Sequence, residues 1–284
     1  MPIRNLPMLA SYDKQAVAQR FSYCAARYNK LADLQQISAS ILLDITAAYA
    51  TQTTLQPVSQ LLDLGCGPGN QTAALKRLSQ QYVGVDIARG MLEEAVKVNA
   101  LGSNSPAELF IQADMDNLPF ATAQFELIFS NLAMQWSNYP KQLLADLKRI
   151  LQPGGTLVFS TVLNDSLQPL DAIRKQLMQH ASMNLNENAG VNAQPYLRDW
   201  RKWADDTKFT CVYQEQRKIT LWFHDVATLM RSVSAIGADQ QRGKRQKKMG
   251  AREYADICRE YERFRAFEGL PLTYEIGYLV LRNE

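Results

Sequence analysis

Read by the spacing of its apolar positions, the chain has a helical opening, an alternating middle and a looser final part. Residues 14 to 50 (KQAVAQRFSYCAARYNKLADLQQISASILLDITAAYA) place apolar residues at three- and four-residue intervals with neither Gly nor Pro, which predicts helix. LQPVSQ ends that pattern. Short β-rich runs then alternate with helical stretches. Strands are predicted at Gln60–Leu64, Tyr82–Asp86, Glu108–Gln112, Phe125–Ser130 and Thr156–Thr161, with helices at Gln71–Gln80, Gly90–Ala100 and Pro140–Leu151. Such alternation is the signature of a doubly wound α/β sheet. In LQPGGTLVFST, Pro153 and Gly154 are expected to close a helix before the next strand. Past Thr161, residues 166 to 206 read as polar helix with a loop near NLNENAGVNAQP. Phe209–Trp222 and Thr273–Leu281 read as two late strands in an antiparallel, hairpin-like pair at a sheet edge, with a helix near Val226–Ile236 between them. No internal repeat is visible.

Composition narrows the class. With 284 residues, 46% hydrophobic and 21% charged, the chain can bury a sizeable core as an ordinary soluble globular protein. No apolar run reaches the roughly 18 residues of a membrane span, and MPIRNLPMLASYDKQ lacks a signal-peptide core. Cys24, Cys66, Cys211 and Cys258 lie far apart, as reduced thiols of a cytoplasmic protein would. His180 and His224 are the only histidines, leaving little for a zinc site or a His-based triad, so no metal is expected. The net charge of +3 conceals one cluster: RGKRQKKMGAR holds Arg242, Lys244, Arg245, Lys247, Lys248 and Arg252 and no acid.

The candidate chemistry starts at LLDLGCGPGN, where Asp63, Gly65, Gly67 and Gly69 mark the turn from the first strand into its helix. Glycine lets backbone approach a ligand because no Cβ intervenes. The dinucleotide fingerprint G-x-G-x-x-G is not met, since Gly69 comes one residue early and Asn70 follows. D-x-G-x-G-x-G instead resembles motif I of the class I S-adenosylmethionine-dependent methyltransferases. Asp86 ends the second strand in YVGVDIA, where a carboxylate can accept both ribose hydroxyls. Capping the helix that starts near Arg89 is its other reading. Asp114, in QADMDNLPF, follows the third strand, where that superfamily binds the adenine amino group. FELIFSNLAMQW supplies the fourth strand and its loop. The same resemblance implies cofactor contacts for Ile87, Met115 and Asn131, and Cys66 reads as a small filler between glycines.

Beyond these motifs the chain resembles the malonyl-acyl-carrier-protein O-methyltransferase family of biotin synthesis. FSYCAARYNKLADLQ, LLDLGCGPGN, SNLAMQW, ITLWFHDVATLMRSVSAIGA and PLTYEIGYLVL carry the likeness, and the last two discriminate it from other methyltransferases. The resemblance implies a Rossmann-like α/β class I methyltransferase fold: a mostly parallel seven-stranded sheet with an antiparallel edge strand, N-terminal helices and a helical substrate lid. It divides the chain into a lid region (1–57), a cofactor core (58–164), a helical insertion over the active site (165–206) and C-terminal strands (207–284) with a basic insertion near 239–268. It implies S-adenosylmethionine as methyl donor, S-adenosylhomocysteine as product, and the free carboxylate of a malonyl thioester on acyl carrier protein as acceptor.

That carboxylate, with a pKa near about 4, is ionised at neutral pH and needs no general base. Arg231 is the leading candidate to fix it, because a guanidinium fork matches a carboxylate; a surface salt bridge is the other reading. Tyr28 shares a helix face with Phe21 and is placed as a catalytic lid residue, with core packing the alternative. Gln135 and Trp136 are placed as substrate-pocket walls, with core packing the other reading of Trp136, while Trp222 and Phe223 are expected in the core. Two departures from the family pattern stand out: Ser234 occupies a position where family members often carry lysine, and the basic stretch with the helix after it is longer. That stretch reads as a solvated loop, as a docking site for acidic acyl carrier protein, or, least favoured, as an RNA contact. Rival activities are a free-acid methyltransferase of the trans-aconitate type, an RNA or small-molecule methyltransferase, and a cofactor-binding regulator without activity.

Overall fold

A computed structural model of the chain describes residues 11–28, 32–49, 57–99, 108–180, 194–235 and 250–284. Two helices, α1 (Lys14–Tyr28) and α2 (Asp33–Tyr49), replace the single helix expected over residues 14 to 50. Asp33 opens the first turn of α2, where a negative charge favours a helix start. The alternating middle follows as β1 (Val58–Leu64), α3 (Thr72–Leu75), β2 (Ser79–Asp86), α4 (Arg89–Asn99), β3 (Glu108–Gln112), β4 (Phe125–Asn131), α5 (Pro140–Ile150) and β5 (Leu151–Val162). The final part comprises α6 (Leu170–His180), α7 (Leu197–Asp206), β6 (Thr210–Phe223), α8 (Val226–Ala235), α9 (Ala251–Tyr261) and β7 (Leu270–Arg282).

The seven strands form one sheet in the order β3-β2-β1-β4-β5-β7-β6. The first five are mutually parallel, and β7 runs antiparallel to both of its neighbours. The late pair is therefore antiparallel as expected, with β7 one strand in from the edge and β6 outermost. Strand order reverses between β1 and β4, which places the ligand crevice of such a sheet beyond their carboxyl ends.

Alternation along the strands builds a core on each face. Leu61, Leu127, Phe129, Val158 and Tyr278 face α2, whose Leu34, Leu42 and Ile45 meet them. Their sequence neighbours Leu62, Ile128, Leu157 and Leu279 face the other way, onto Leu143, Leu144, Leu147 and Ile150 of α5 and Trp200 of α7. The spacing of the α5 set is that of one helix face. Each such buried Leu or Phe contributes about 2 kcal/mol. Among the described residues, no helix is long and apolar enough to cross a membrane.

Two local expectations are corrected. The helix expected over Gln71–Gln80 shortens to α3 and one tighter turn at Lys76–Leu78, because Ser79 already pairs with Val58 and β2 begins there. Likewise, Pro153 and Gly154 do not close a helix; α5 ends at Ile150 and both residues lie within β5. Between Phe125 and Leu127 the register slips from Leu151 to Thr156, which accommodates the Pro-Gly-Gly segment. Asn283, just beyond β7, ties this bulge down by donating from Nδ2 to the carbonyls of Leu151 and Gln152 at 3.0 and 3.1 Å.

Candidate active site

The glycine loop leaves β1 at a point where backbone alone fits. Gly65 has φ +75°, and a Cβ there would fall 2.3 Å from that of Ala133 in the loop after β4. Two residues on, the Gly67 N–H donates to Asp86 Oδ2 at 2.9 Å, tying the loop to the end of β2. Asp86 Oδ1 accepts from the Ala88 N–H at 2.8 Å, a turn just ahead of α4 and not a bond to an N–H of the helix, and the residue lines the cleft. Burial raises the Asp86 carboxyl to about 6, against the pull of those N–H groups. Asp63, one layer deeper, accepts from the Tyr82 hydroxyl at 2.8 Å, and Tyr82 accepts from Thr72 at 3.0 Å. Its carboxyl rises to about 7, first through burial and then through the charge of Asp86, with the Tyr82 hydrogen bond opposing. Gly69 lines none of the described cavities; with φ +77° it shapes the turn.

Around this loop lies a cleft of about 660 Å³, its open mouth included. Asp86, Ile87, Asp114, Met115 and Asn131, all singled out in the sequence, line it together with Gly65 and Gly67. The Asn131 amide is held at both ends, donating to the Gln35 carbonyl at 3.0 Å and accepting from Ser160 at 2.8 Å. Asp114 sits at the far end, but its carboxylate is engaged: Lys14 Nζ lies 2.8 Å from it and 2.7 Å from Asp116. Lys14, in the first turn of α1, was not read from the sequence. Helix α1 thus covers the cleft, latched by this ion pair and by Tyr12, whose N–H donates to Asn138 Oδ1 at 2.7 Å.

Aromatic rings form the inner wall of the cleft. Trp136 packs against Tyr12 at 5.0 Å and Phe21 at 5.6 Å between centroids, and Phe21 stands edge-on to Tyr28 at 6.4 Å. Burial, then the charge of Asp86, holds the Tyr28 phenol well above its ordinary range, so it keeps its proton. Behind the wall is a second chamber of about 470 Å³, lined by Gln35, Gln135, Gln194 and Tyr274 among others. A third cavity of about 430 Å³ wraps the glycine loop and includes Asp63, Gln35 and Asn70. Tyr28 lines all three.

Several expectations are not met by placement. Arg231 is exposed on α8, donates to Thr228 on its own helix at 2.9 Å, and lines none of these cavities. The carboxylate-pairing role expected of it has no geometric basis in this structure. Trp222 is 44% exposed on the edge strand β6 and not in the core, whereas Phe223 packs partly buried against it. Ser234, in place of the family's lysine, is met by the Arg20 guanidinium, which donates to its carbonyl at 2.6 Å. Cys66 is buried, and burial with the nearby carboxylates keeps its thiol protonated. Of the basic cluster, Arg242, Lys244, Arg245, Lys247 and Lys248 lie outside the described residues; Arg252 is exposed on α9.

The residues present fit S-adenosylmethionine. Two buried carboxyls raised by desolvation favour a positively charged ligand, and a carboxylate at the end of β2 suits a ribose. Comparison with known proteins agrees. A methyltransferase domain family matches residues 62–159. The Malonyl-[acyl-carrier protein] O-methyltransferase of Hahella chejuensis is 30% identical over 274 residues, covering 94% of this chain and 90% of its own. This chain belongs to that family. A second member, from Erwinia billingiae, is 31% identical over 279 residues, with 97% of this chain and all of the relative covered. The Biotin biosynthesis bifunctional protein BioHC of Cellvibrio japonicus is 30% identical to 96% of the chain, which spans 51% of that longer protein. Among solved structures, the [4+2]-cyclase SpnF superposes with a TM-score of 0.60 at 17% identity, covering 96% of this chain and 98% of its own. Geranyl diphosphate C-methyltransferase of Streptomyces coelicolor, solved with S-adenosyl-L-homocysteine, gives 0.51 at 12% identity over 87% of this chain and 79% of its own. These two show the fold that this malonyl-acyl-carrier-protein methyltransferase family member shares.

Proposed function

We propose that the protein transfers a methyl group from S-adenosylmethionine to the free carboxylate of a malonyl thioester carried on acyl carrier protein, an early step of biotin synthesis. The observation that carries this reading is the end-to-end match to the family, joined to a cleft whose carboxylates suit the cofactor. When bound, S-adenosylmethionine supplies an electrophilic methyl on a sulfonium; the carboxylate oxygen bonds to that carbon as the carbon–sulfur bond breaks and its electron pair stays on sulfur. Asp86 holds the ribose, kept in place by the N–H groups of Gly67 and Ala88. Asp114 receives the adenine amino group beside Lys14. Gly65 and Gly67 bring backbone against the methionine end, with Asn131 fixed beside it. Ile87 and Met115 supply apolar contact.

No residue need take a proton, because the acceptor carboxylate is ionised above about pH 4. The chain's contribution is alignment and the exclusion of water. Phe21, Tyr28 and Trp136 stand between the cleft and the second chamber and supply both. Residues 1–57 and 165–206 serve as covers over the 58–164 core, and 207–284 completes the sheet. The exposed Arg252 and the basic residues from Arg242 to Lys248 receive the acidic carrier protein. Four unpaired cysteines fit work in a reducing cytoplasm.

Incubating the protein with S-adenosylmethionine and malonyl-acyl carrier protein, then weighing the intact carrier, tests the reading. A gain of one methylene is expected. Cofactor binding with no gain would overturn the acceptor assignment and leave the cofactor site standing.

A further inference from the structure

The second chamber has an unusual lining. Among the described residues, its polar lining comprises three glutamines and two tyrosines and includes no Asp, Glu, Lys, Arg or His. The Tyr274 hydroxyl and Gln35 Oε1 on its wall are buried without a partner. Tyr274 is 1% exposed and is fixed on β7 opposite Ile219 of β6. Buried hydroxyls are almost always hydrogen-bonded, since an unmet one forfeits its bonds to water. Desolvation keeps this phenol protonated, so what it offers the chamber is a neutral donor. Gln35 lines both the chamber and the cavity of the glycine loop, so its amide stands where an acceptor must meet the methionine end of the cofactor. The partition between chamber and cleft is made by Phe21, Tyr28, Leu132 and Trp136, which line both.

We propose that this chamber is the acceptor subsite and that it selects a singly charged malonyl thioester through neutral groups, the Tyr274 hydroxyl donating to an oxygen of the malonyl head while Gln35 lines the methyl-transfer end. The inference rests on the reaction proposed above and names what recognises its substrate. Its logic is electrostatic. A guanidinium on the carboxylate would draw off the electron density that must attack carbon, whereas a neutral hydroxyl donor orients the oxygen and leaves its charge to the sulfonium. The same neutrality sets specificity. A malonyl thioester brings one negative charge, and the cofactor's sulfonium offsets it. A free diacid brings a second charge that no described residue of the chamber's lining can pair, and burying an unpaired charge is heavily unfavourable.

The test compares wild type with Tyr274→Phe, which removes one oxygen that bonds to nothing in the protein. Unfolding temperature and S-adenosylhomocysteine affinity are expected to be unchanged. The KM for malonyl-acyl carrier protein, and the calorimetric Kd of malonyl-pantetheine for the S-adenosylhomocysteine complex, are expected to rise roughly tenfold or more. A second measurement needs no variant: wild type should methylate free malonate at least roughly a hundredfold less efficiently than malonyl-pantetheine. Wild-type values in Tyr274→Phe, or free malonate used as well as the thioester, would overturn the subsite while leaving the reaction established. A wild type that binds S-adenosylhomocysteine but neither binds nor methylates any malonyl thioester would overturn the reaction itself, and the subsite with it.

Discussion

The cleft and the chamber behind it are neighbours built on opposite plans. The cleft is charged, with Asp86, Asp114 and Lys14 on its wall and Asp63 beneath, and most of its lining comes from strand ends between residues 64 and 136. Among the described residues the chamber's lining is neutral, and its polar groups come from residues 28, 35, 135, 194 and 274, which are scattered along the chain. On the proposed reading the methyl donor is held by the geometry of sheet termini. An acceptor peculiar to one family is held by segments laid over that frame, which can change without disturbing it.

The contrast can be broken at several points, the largest first. Gly65→Ala adds a Cβ at φ +75° and 2.3 Å from Ala133, so the cleft side should lose about 3 kcal/mol, read as a lowered unfolding temperature and weakened cofactor binding. Wild-type stability would mean that the loop after β4 yields freely. Asp86→Ala should weaken S-adenosylmethionine roughly tenfold or more, about 1.4 kcal/mol, while malonyl-pantetheine affinity holds. Equal calorimetric affinities would remove its ribose role.

Acid should separate the two sites. Asp86 titrates at about 6 and Asp63 at about 7, both raised, so protonation removes the charges that favour a cationic ligand. Cofactor affinity should therefore fall as pH drops through about 7 and 6, while the KM for the malonyl carboxylate, ionised down to about 4, stays flat. Stability without ligand runs the other way. Because these folded-state values lie above the unfolded ones, their stabilising contribution is full below about pH 4 and is lost as pH rises through 6 and 7. A melting series lacking that decline would show the two acids to be better solvated than their burial implies. Smallest of all, Lys14→Ala should weaken the cofactor about threefold, an effect that salt erases, since this pair is partly open to solvent.

How far the sequence revealed this molecule depends on distance along the chain. Asp63, the glycines, Asp86 and Asp114 were legible because each sits at a strand end and the α/β alternation fixes where those ends meet. Tyr274 was quoted within a family segment, yet nothing local says that its hydroxyl reaches a chamber shared with Gln35, 239 residues earlier. Lys14 looked like any polar residue opening a helix, until the fold brought Asp114 to it. Arg231 was chosen for charge complementarity, but α8 turns that side chain outward to Thr228. The break between α1 and α2 was missed because periodicity continues through it, although one helix covers the cleft and the other packs on the sheet.

The position of β7 also dictates an order of assembly. β6 pairs with β7 alone, and β5 meets nothing but β4 on its other side, so both wait for residues 270 to 282 to be synthesised. Emerging from the ribosome, the chain can lay down its first five strands and shape the cofactor cleft while one flank of the sheet stays open. That flank is a row of unpaired amides, a place for nascent chains to adhere to one another. Insertion of β7 closes it and, in the same event, delivers Tyr274, so the acceptor chamber is the last part of the machine to come into being.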